Sequence, residues 1–317
     1  MLEAAQRFFY ASWQHSATGG LIVQLNRSRM NFRQHPLFRR WSDAAYEHRL
    51  AYLAEAVPGH VAQMLPVALI FGPFLPFVVV ILFGASVFNA FLAAMIIFLV
   101  ALALLIASAD SMLAAGLAAG SLTVEREAGR WELLMLIPDD RMAVVIMRVS
   151  SVLMPYRPLV GTLDLLQTVF AFITALILSG RATESDSNLL GLCMLFFIPS
   201  LILLGWERQQ DFALSVSIGV FAGLMQRDRF ALGLALTSGA AVIFVRLVVA
   251  IIAVSVAPTA HGFWVVLPVC IAGPAMLPMM GTPLLATVPI LLVYYGAREY
   301  AIRYLIEDGL RRATGWH

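Results

Sequence analysis

The sequence contains no lysine, and only 13% of its 317 residues are charged. A soluble globular domain usually carries about a quarter charged residues, so we expect much of this surface to avoid water. The missing lysine excludes a phosphate-binding loop of the G-x-x-x-x-G-K-[ST] type, in which lysine contacts the nucleotide phosphates. We therefore expect that the chain is not an enzyme that hydrolyses ATP by this route.

Cysteine is also scarce, and the patterns of several enzyme classes are missing. Cys193 and Cys270 lie in apolar segments without a C-x-x-C or histidine spacing, so neither a disulfide framework nor a zinc site is indicated. The H-E-x-x-H, paired-aspartate and G-x-S-x-G patterns of intramembrane proteases and lipid transferases are absent as well. We expect no catalytic residue, metal or cofactor in this chain, and the net charge of +2 predicts no nucleic-acid partner.

Hydrophobic residues make up 61% of the chain, and the mean hydropathy is +0.85. Several apolar runs reach about 20 residues, the length that crosses a hydrocarbon core about 30 Å thick. Because a backbone in lipid must satisfy its own hydrogen bonds, these spans are predicted to be helices. The predicted fold is an all-α polytopic membrane protein with six to eight transmembrane or re-entrant helices.

Composition divides the chain into three predicted regions. Residues 1–60 are polar and rich in arginine, which predicts a cytoplasmic or interfacial segment with a helix at 44–57 along the lipid headgroups. Residues 61–305 are predicted to form the transmembrane domain, and 306–317 a cytoplasmic tail. By the positive-inside rule both termini are expected in the cytoplasm, and the number of crossings is expected to be even. No cleavable signal peptide is expected.

The number of crossings is left open between six and eight. The apolar segments are predicted at 61–83, 87–124, 163–179, 189–205, 212–225, 230–257, 262–280 and 282–304. Eight crossings require every segment to cross and place the basic residues 226–229 (QRDR) outside. Six crossings make 163–179 and 262–280 partial and place QRDR inside, which the charge rule favours.

The second apolar segment is too long for a bilayer. Its roughly 38 residues would measure about 57 Å at a rise of about 1.5 Å per residue. Its last turns should project into water and carry a charged amphipathic coupling helix, predicted at 124–138 with the sequence VEREAGRWELLMLIP. Trp131 is expected to dock on a partner, and Pro138 is expected to close the helix. A merely solvated loop is the alternative.

This element resembles the E-[RK]-E-x-G-T-x-E-x-L motif and following proline of ABC-2 type transporter permeases. The matching residues are Glu125, Arg126, Glu127, Gly129, Glu132, Leu134 and Pro138. Arg130 departs from the usual threonine, and Ile137 replaces a small hydroxyl residue. Residues 35–40 (HPLFRR) are more weakly similar to an N-P-x-x-x-[RK] stretch near the N-terminus of such permeases.

The resemblance implies a transmembrane permease subunit of an ATP-driven ABC transporter. Export is the implied direction, because it is common in the family and not because any residue indicates it. The residues implied to contact the separate ABC ATPase subunit are Glu125, Arg126, Glu127, Gly129, Trp131, Glu132 and Pro138. ATP and Mg would be held by that ATPase. A second permease subunit, identical or different, and the lipids of a prokaryotic plasma membrane are the other implied partners. The alternative is a structural or assembly subunit that keeps a permease-like fold without transport.

Two ionisable residues and two glycines within the predicted spans are candidate functional or packing residues. Asp110 and Arg246 are ionisable groups in apolar segments, which predicts that they line a translocation path. Alternatively, Asp110 lies at the cytoplasmic membrane interface. Arg246 then extends to the membrane surface or pairs with Asp110 in a structural contact. Gly116 and Gly120 form a small-x-x-x-small face that predicts close helix packing, more within this chain than with a second copy. The polar residues 206–211 (WERQQD) separate two predicted spans and are interpreted as marking an interface, in preference to a substrate site.

Overall fold

The structure, a computed structural model, is almost entirely helical over the residues that it describes, and these residues contain no strand. These residues are 16–31, 40–44, 108, 110–132, 141–156, 161–162, 165, 168–169, 188–225, 233, 237, 241, 244–249, 251–252, 255, 269, 273–278 and 284–314. Over these ranges the all-α prediction is confirmed. The predicted first span at 61–83 and nearly all of the predicted interfacial helix at 44–57 lie outside the described residues.

Five helices of more than ten residues form the described structure. They are α1 (Ala17–Asn31), α2 (110–127), α3 (Arg141–Leu153), α4 (Asn188–Met225) and α5 (Leu284–Thr314). Short 3₁₀ turns follow at Met154–Tyr156 and Pro274–Met276, and a helical segment covers 244–249. Within the described ranges, no helix combines the length and the apolar character needed to cross a membrane. The polytopic architecture therefore stays a prediction.

Helix α4 corrects the predicted division of the chain around residues 206–211. The segments 189–205 and 212–225 were predicted as separate spans, but α4 runs through both as one helix of 38 residues. Glutamate, arginine and glutamine are good helix formers, and here the polar side chains find partners on neighbouring helices instead of marking a connection. Pro199 lies inside α4 without ending it.

Helix α2 packs closely along the C-terminal half of α4 and runs parallel to it. A Cβ built on Gly219 would overlap the Ala115 carbonyl, and one on Gly223 would lie 2.9 Å from the Ala119 carbonyl oxygen. Any side chain larger than hydrogen would push the two helices apart, so the close approach requires glycine at both positions. Residue numbers rise together along the two helices, which fixes their parallel direction.

The face of α2 that makes this contact differs from the predicted one. Ala115 and Ala119 are fully buried, whereas Gly116 and Gly120 are half-buried. No described atom lies within 4 Å of a Cβ built on Gly120. The contact with α4 is thus offset by one residue from the predicted glycines, because a continuous run of small residues presents several similar faces.

Helix α5 lies on another side of α4 and is also parallel to it. Asp211 of α4 contacts Arg298 of α5, and further along Phe221 lies against Gly309. The C-terminal ends of α2, α4 and α5 therefore lie at the same end of the molecule.

One apolar core joins α2 and the C-terminal halves of α4 and α5 to α1 and α3. Its buried members are Leu21, Leu25, Ala114, Ala118, Leu122, Val145, Ile146, Val149, Leu153, Ala213, Val216, Val220, Leu224 and Ile302. Burying each leucine, isoleucine or valine side chain contributes about 1.5–3 kcal/mol, so this core holds the five helices together.

The N-terminal halves of α4 and α5, with residues 244–252, expose large apolar side chains instead. We call these the apolar surface; they are Leu195, Ile198, Leu201, Ile202, Phe244, Val245, Leu247, Ile251, Ile252, Leu285, Val288, Leu292 and Val293. The molecule thus divides along α4 into a densely packed end and an end with exposed apolar groups.

Candidate functional site

Helix α2 ends within the motif that resembles the permease family. The Gly129 N–H donates to the Arg126 carbonyl at 3.0 Å, and the Arg130 N–H donates to the Glu125 carbonyl at 3.0 Å. With Gly129 at φ +65°, these two bonds form a Schellman cap, which closes a helix at a glycine in the left-handed region. The motif glycine is therefore explained by the backbone geometry that ends α2.

The predicted coupling helix at 124–138 is wrong in its bounds. Residues 124–127 belong to α2, 128–130 form the turn, and 131–132 return to helical geometry. Glycine disfavours a helix interior and readily takes a positive φ, so the chain breaks at Gly129. Pro138 lies outside the described residues. We call residues 125–132 the motif turn.

Glu125, the first residue of the motif turn, is buried, with only 2% of its side chain exposed. Its carboxylate accepts a hydrogen bond from Arg130 Nε at 2.8 Å and pairs with Arg148 of α3 at 3.1 Å. Burial lowers the pKa of the Arg148 guanidinium, and the Glu125 carboxylate opposes that shift. Arg130, which stands where the similar permease motif usually has threonine, thus adds an ion pair within the motif turn, and Arg148 links that turn to α3.

Arg126 and Trp131 were expected to contact an ATPase, but in the described structure both side chains make contacts within the chain. Arg126 Nη1 donates to the carbonyls of Gly223, at 3.4 Å, and Leu224 in the last turn of α4. The same guanidinium lies 5.3 Å from the centroid of the Trp131 ring. Trp131 itself is partly buried against the apolar core.

The exposed part of the motif turn is therefore smaller than predicted. Glu127, Gly129 and Glu132 are exposed, as is Arg130, whose side chain is 56% accessible. These residues carry both signs of charge on a capped turn and, together with the exposed Ala128, they are within reach of a partner.

A second polar cluster lies midway along α4. Glu207 and Asp211, one helical turn apart, are buried with Arg246 of the 244–249 segment and Arg298 of α5. We call these four residues the ion quartet. Both arginines contact Asp211 closely, and they lie 3.7 and 3.8 Å from Glu207. Because two positive and two negative groups are buried together, each charge is compensated within the protein.

Tyrosine hydroxyls and a glycine complete the surroundings of Glu207. Tyr294 and Tyr295 donate hydrogen bonds to its two carboxylate oxygens at 3.0 and 3.1 Å. Arg298 Nη1 in turn donates to the Tyr294 hydroxyl at 3.0 Å. Gly273 has φ +81°, and a Cβ there would overlap the carboxylate. Glu207 is thus held by α5 and covered by the chain at Gly273.

Polar contacts continue from the ion quartet to the N-terminus of α1. Gln210 Nε2 donates to the Tyr295 carbonyl at 3.3 Å and to the Glu299 carboxylate at 3.1 Å. Glu299 also accepts bonds from the Thr18 N–H, at 2.8 Å, and from the Thr18 hydroxyl. A carboxylate is stabilised at a helix N-terminus by the free N–H groups and the helix dipole, so Glu299 anchors α1 on α5.

The sequence prediction found one member of the ion quartet and missed three. Arg246 pairs with Asp211 and Glu207, and its weighed pair with Asp110 stays a prediction. The α2–α4 register nevertheless places Asp110 at the level of residue 214, within one turn of Asp211. The missed signal is the i, i+4 spacing of the two acids, which lie in the polar stretch that was predicted to separate two spans. Buried charges that are fixed by pairing suit a structural or switching role.

Comparison with known proteins finds no relative of this chain. No protein-family model matches the sequence, and neither a curated protein nor a solved structure matches it. A functional assignment of the chain accordingly rests on its motif, its composition and the geometry of the motif turn and the ion quartet.

Proposed function

We propose that this chain is the transmembrane permease subunit of an ATP-driven ABC transporter, and that a separate ATPase subunit docks on the motif turn. The observation that carries the proposal is the form of this turn. Glu127, Gly129 and Glu132 are exposed beside a Schellman cap, and the buried Glu125 holds the turn with two arginines. A surface that transmits movement must keep its shape under load, and these internal bonds supply that rigidity.

The apolar surface supports a membrane environment. Leu285, Leu292 and Val293 are 92%, 70% and 71% exposed, and soluble proteins rarely leave large apolar patches in water. Beyond them on α5, Tyr300 and Tyr304 are exposed and their rings stack 6.3 Å apart. Tyrosine is enriched where a membrane meets water, so this pair supports a boundary at that level.

The directions of the helices favour six crossings over eight. If α2, α4 and α5 all end in the cytoplasm, the chain must return across the membrane between α2 and α4 and again between α4 and α5. The predicted segments 163–179 and 230–257 supply these two returns, and 262–280 is then re-entrant. This arrangement differs from the six crossings first considered, because α4 takes the place of two segments.

The docking proposal is tested by co-purification in mild detergent. A tagged wild-type chain should retain a protein with a phosphate-binding loop, identified by mass spectrometry. The Glu127→Lys/Glu132→Lys double variant should retain at least about tenfold less of it, because reversed charges oppose the complementary surface. Glu184→Lys is the matched control, since residue 184 precedes the opposite end of α4.

Two results would contradict the proposal. Equal recovery of the ATPase with the double variant would exclude docking on the motif turn. Recovery of other membrane subunits without any ATPase would favour the structural or assembly alternative.

A further inference from the structure

We propose that Arg126 is the joint that passes movement of the motif turn to α4, and that α4 carries this movement to the ion quartet. The inference rests on the proposed function and adds the route by which ATPase docking would reach the membrane part. It also gives Arg126 a role inside the chain instead of an ATPase contact.

Arg126 binds the end of α4 at the place where a cation is most favoured. The last four carbonyls of a helix have no partner within the helix, and the helix dipole makes this end negative. Arg126 Nη1 donates to two of these carbonyls, those of Gly223 and Leu224. Charge and hydrogen bonding thus hold the side chain on the last turn of α4.

A further contact of this guanidinium is with the motif turn itself. Trp131 lies with its ring centroid 5.3 Å from the Arg126 guanidinium carbon, a distance typical of a cation–π contact. Trp131 is followed directly by the exposed Glu132, one of the residues proposed to meet the ATPase. A displacement of the exposed surface therefore reaches Arg126 through its immediate neighbour.

Close packing leaves α2 and α4 little freedom to slide past each other. Gly219 and Gly223 touch the backbone of α2 so closely that a methyl group would not fit. Helix α4 then continues without a break through Asp211 and Glu207. Asp211 lies 14 residues before Met225, about 21 Å at a rise of about 1.5 Å per residue.

The ion quartet converts a movement of α4 into movement of two other elements. Its carboxylates are on α4, whereas Arg246 and Arg298 come from the 244–249 segment and from α5. Breaking a buried ion pair leaves a buried charge without compensation. The two arginines must therefore move with the carboxylates or change which carboxylate they pair with. Such a cluster favours discrete arrangements, as a two-state transport cycle requires.

Glu125 and Arg130 do not offer the same route. Glu125 is bound to Arg148 of α3, and Arg130 is bound to Glu125. These contacts fix the base of the motif turn, while the described contacts of the Arg126 side chain lead to α4.

Hydrogen–deuterium exchange of the chain in lipid nanodiscs tests the joint without a partner. Arg126→Gln should speed exchange in residues 217–225 by about tenfold, since charge-assisted bonds to the end of α4 are lost, and should also speed it in 205–213. Arg126→Lys should restore part of the protection. Arg303→Gln is the matched control, because Arg303 is 72% exposed and pairs with Glu307 on the same helix.

The same measurement on the complex with the co-purified ATPase tests the route. In the wild type, ATP with vanadate should change exchange in residues 205–213 relative to ADP. Arg126→Gln should keep the ATPase bound through Glu127 and Glu132 but lose this change. A wild-type complex without the change, or an Arg126→Gln complex that keeps it, would overturn the proposal.

Failure of the proposed function gives a different result. If the wild-type chain retains no ATPase, docking is contradicted, and the nanodisc measurement alone decides whether Arg126 is a joint. Unchanged exchange of Arg126→Gln in both 217–225 and 205–213 would then overturn it.

Discussion

The ion quartet is tolerated in the interior because its charges are present in equal number. Asp211 is shared by Arg246 and Arg298, while Glu207 is held mainly by tyrosine hydroxyls. Removing one member of such a cluster leaves a buried charge without compensation, which costs about 3–5 kcal/mol. Removing an acid and a base together avoids that penalty.

We therefore expect a strongly non-additive response to mutation. Asp211→Asn and Arg298→Gln should each lower the melting temperature of the detergent-solubilised protein clearly. The Asp211→Asn/Arg298→Gln double variant should lose less than the sum of the two, because it restores neutrality. Thermal unfolding followed by tryptophan fluorescence measures this. An exposed ion pair contributes little to stability, so the control Arg303→Gln should have the melting temperature of the wild type. A double variant whose loss in melting temperature equals the sum of the two single losses would contradict the expectation.

Helices α2 and α4 illustrate how packing depends on which small residues actually meet. Both helices carry small residues at spacings of four, yet the contact joins Gly219 and Gly223 to the alanines of α2. Gly120, on the same helix as those alanines, has open space beside it within the described structure.

The same substitution should consequently have opposite effects at two positions. Gly219→Ala should destabilise the protein by about 1–3 kcal/mol, since the added methyl group forces α2 and α4 apart. Gly120→Ala should stabilise it by about 0.5–1 kcal/mol, because alanine favours the helix and meets no described neighbour. Melting temperatures of the two variants in one detergent compare them. Destabilisation by both in equal measure would show that the close contact lies elsewhere.

At the scale of the whole molecule, three parallel helices restrict the topology. If α2, α4 and α5 all end in the cytoplasm, as proposed, we expect the stretch 226–229 after α4 on the same side of the membrane as the motif turn. The arrangement with eight crossings would place it on the other side.

Labelling of single cysteines with a membrane-impermeant maleimide checks this placement. In a Cys193→Ala/Cys270→Ala background, Glu127→Cys and Asp228→Cys should react only after the cytoplasmic side is opened. Glu184→Cys, which precedes the N-terminus of α4, should react in intact cells. Labelling of Asp228→Cys in intact cells would contradict six crossings.

Local signals in the sequence determined the helical class over the described residues, and the break at Gly129 also has a local cause, although the predicted helix ran through it. These features depend on neighbours along the chain: apolar runs, helix-forming residues and a glycine where the helix stops. The sequence also indicated that Arg246 needed a partner, because an isolated charge among apolar residues is costly.

Tertiary structure alone decided which residues meet. It made Glu207 and Asp211 part of one continuous helix, because partners on α5 and at Arg246 satisfy charges that otherwise mark a connection between spans. It turned Arg126 towards the end of α4, where free carbonyls lie. Such choices depend on side chains brought together from distant parts of the chain, so the spacing of residues within one segment does not contain them.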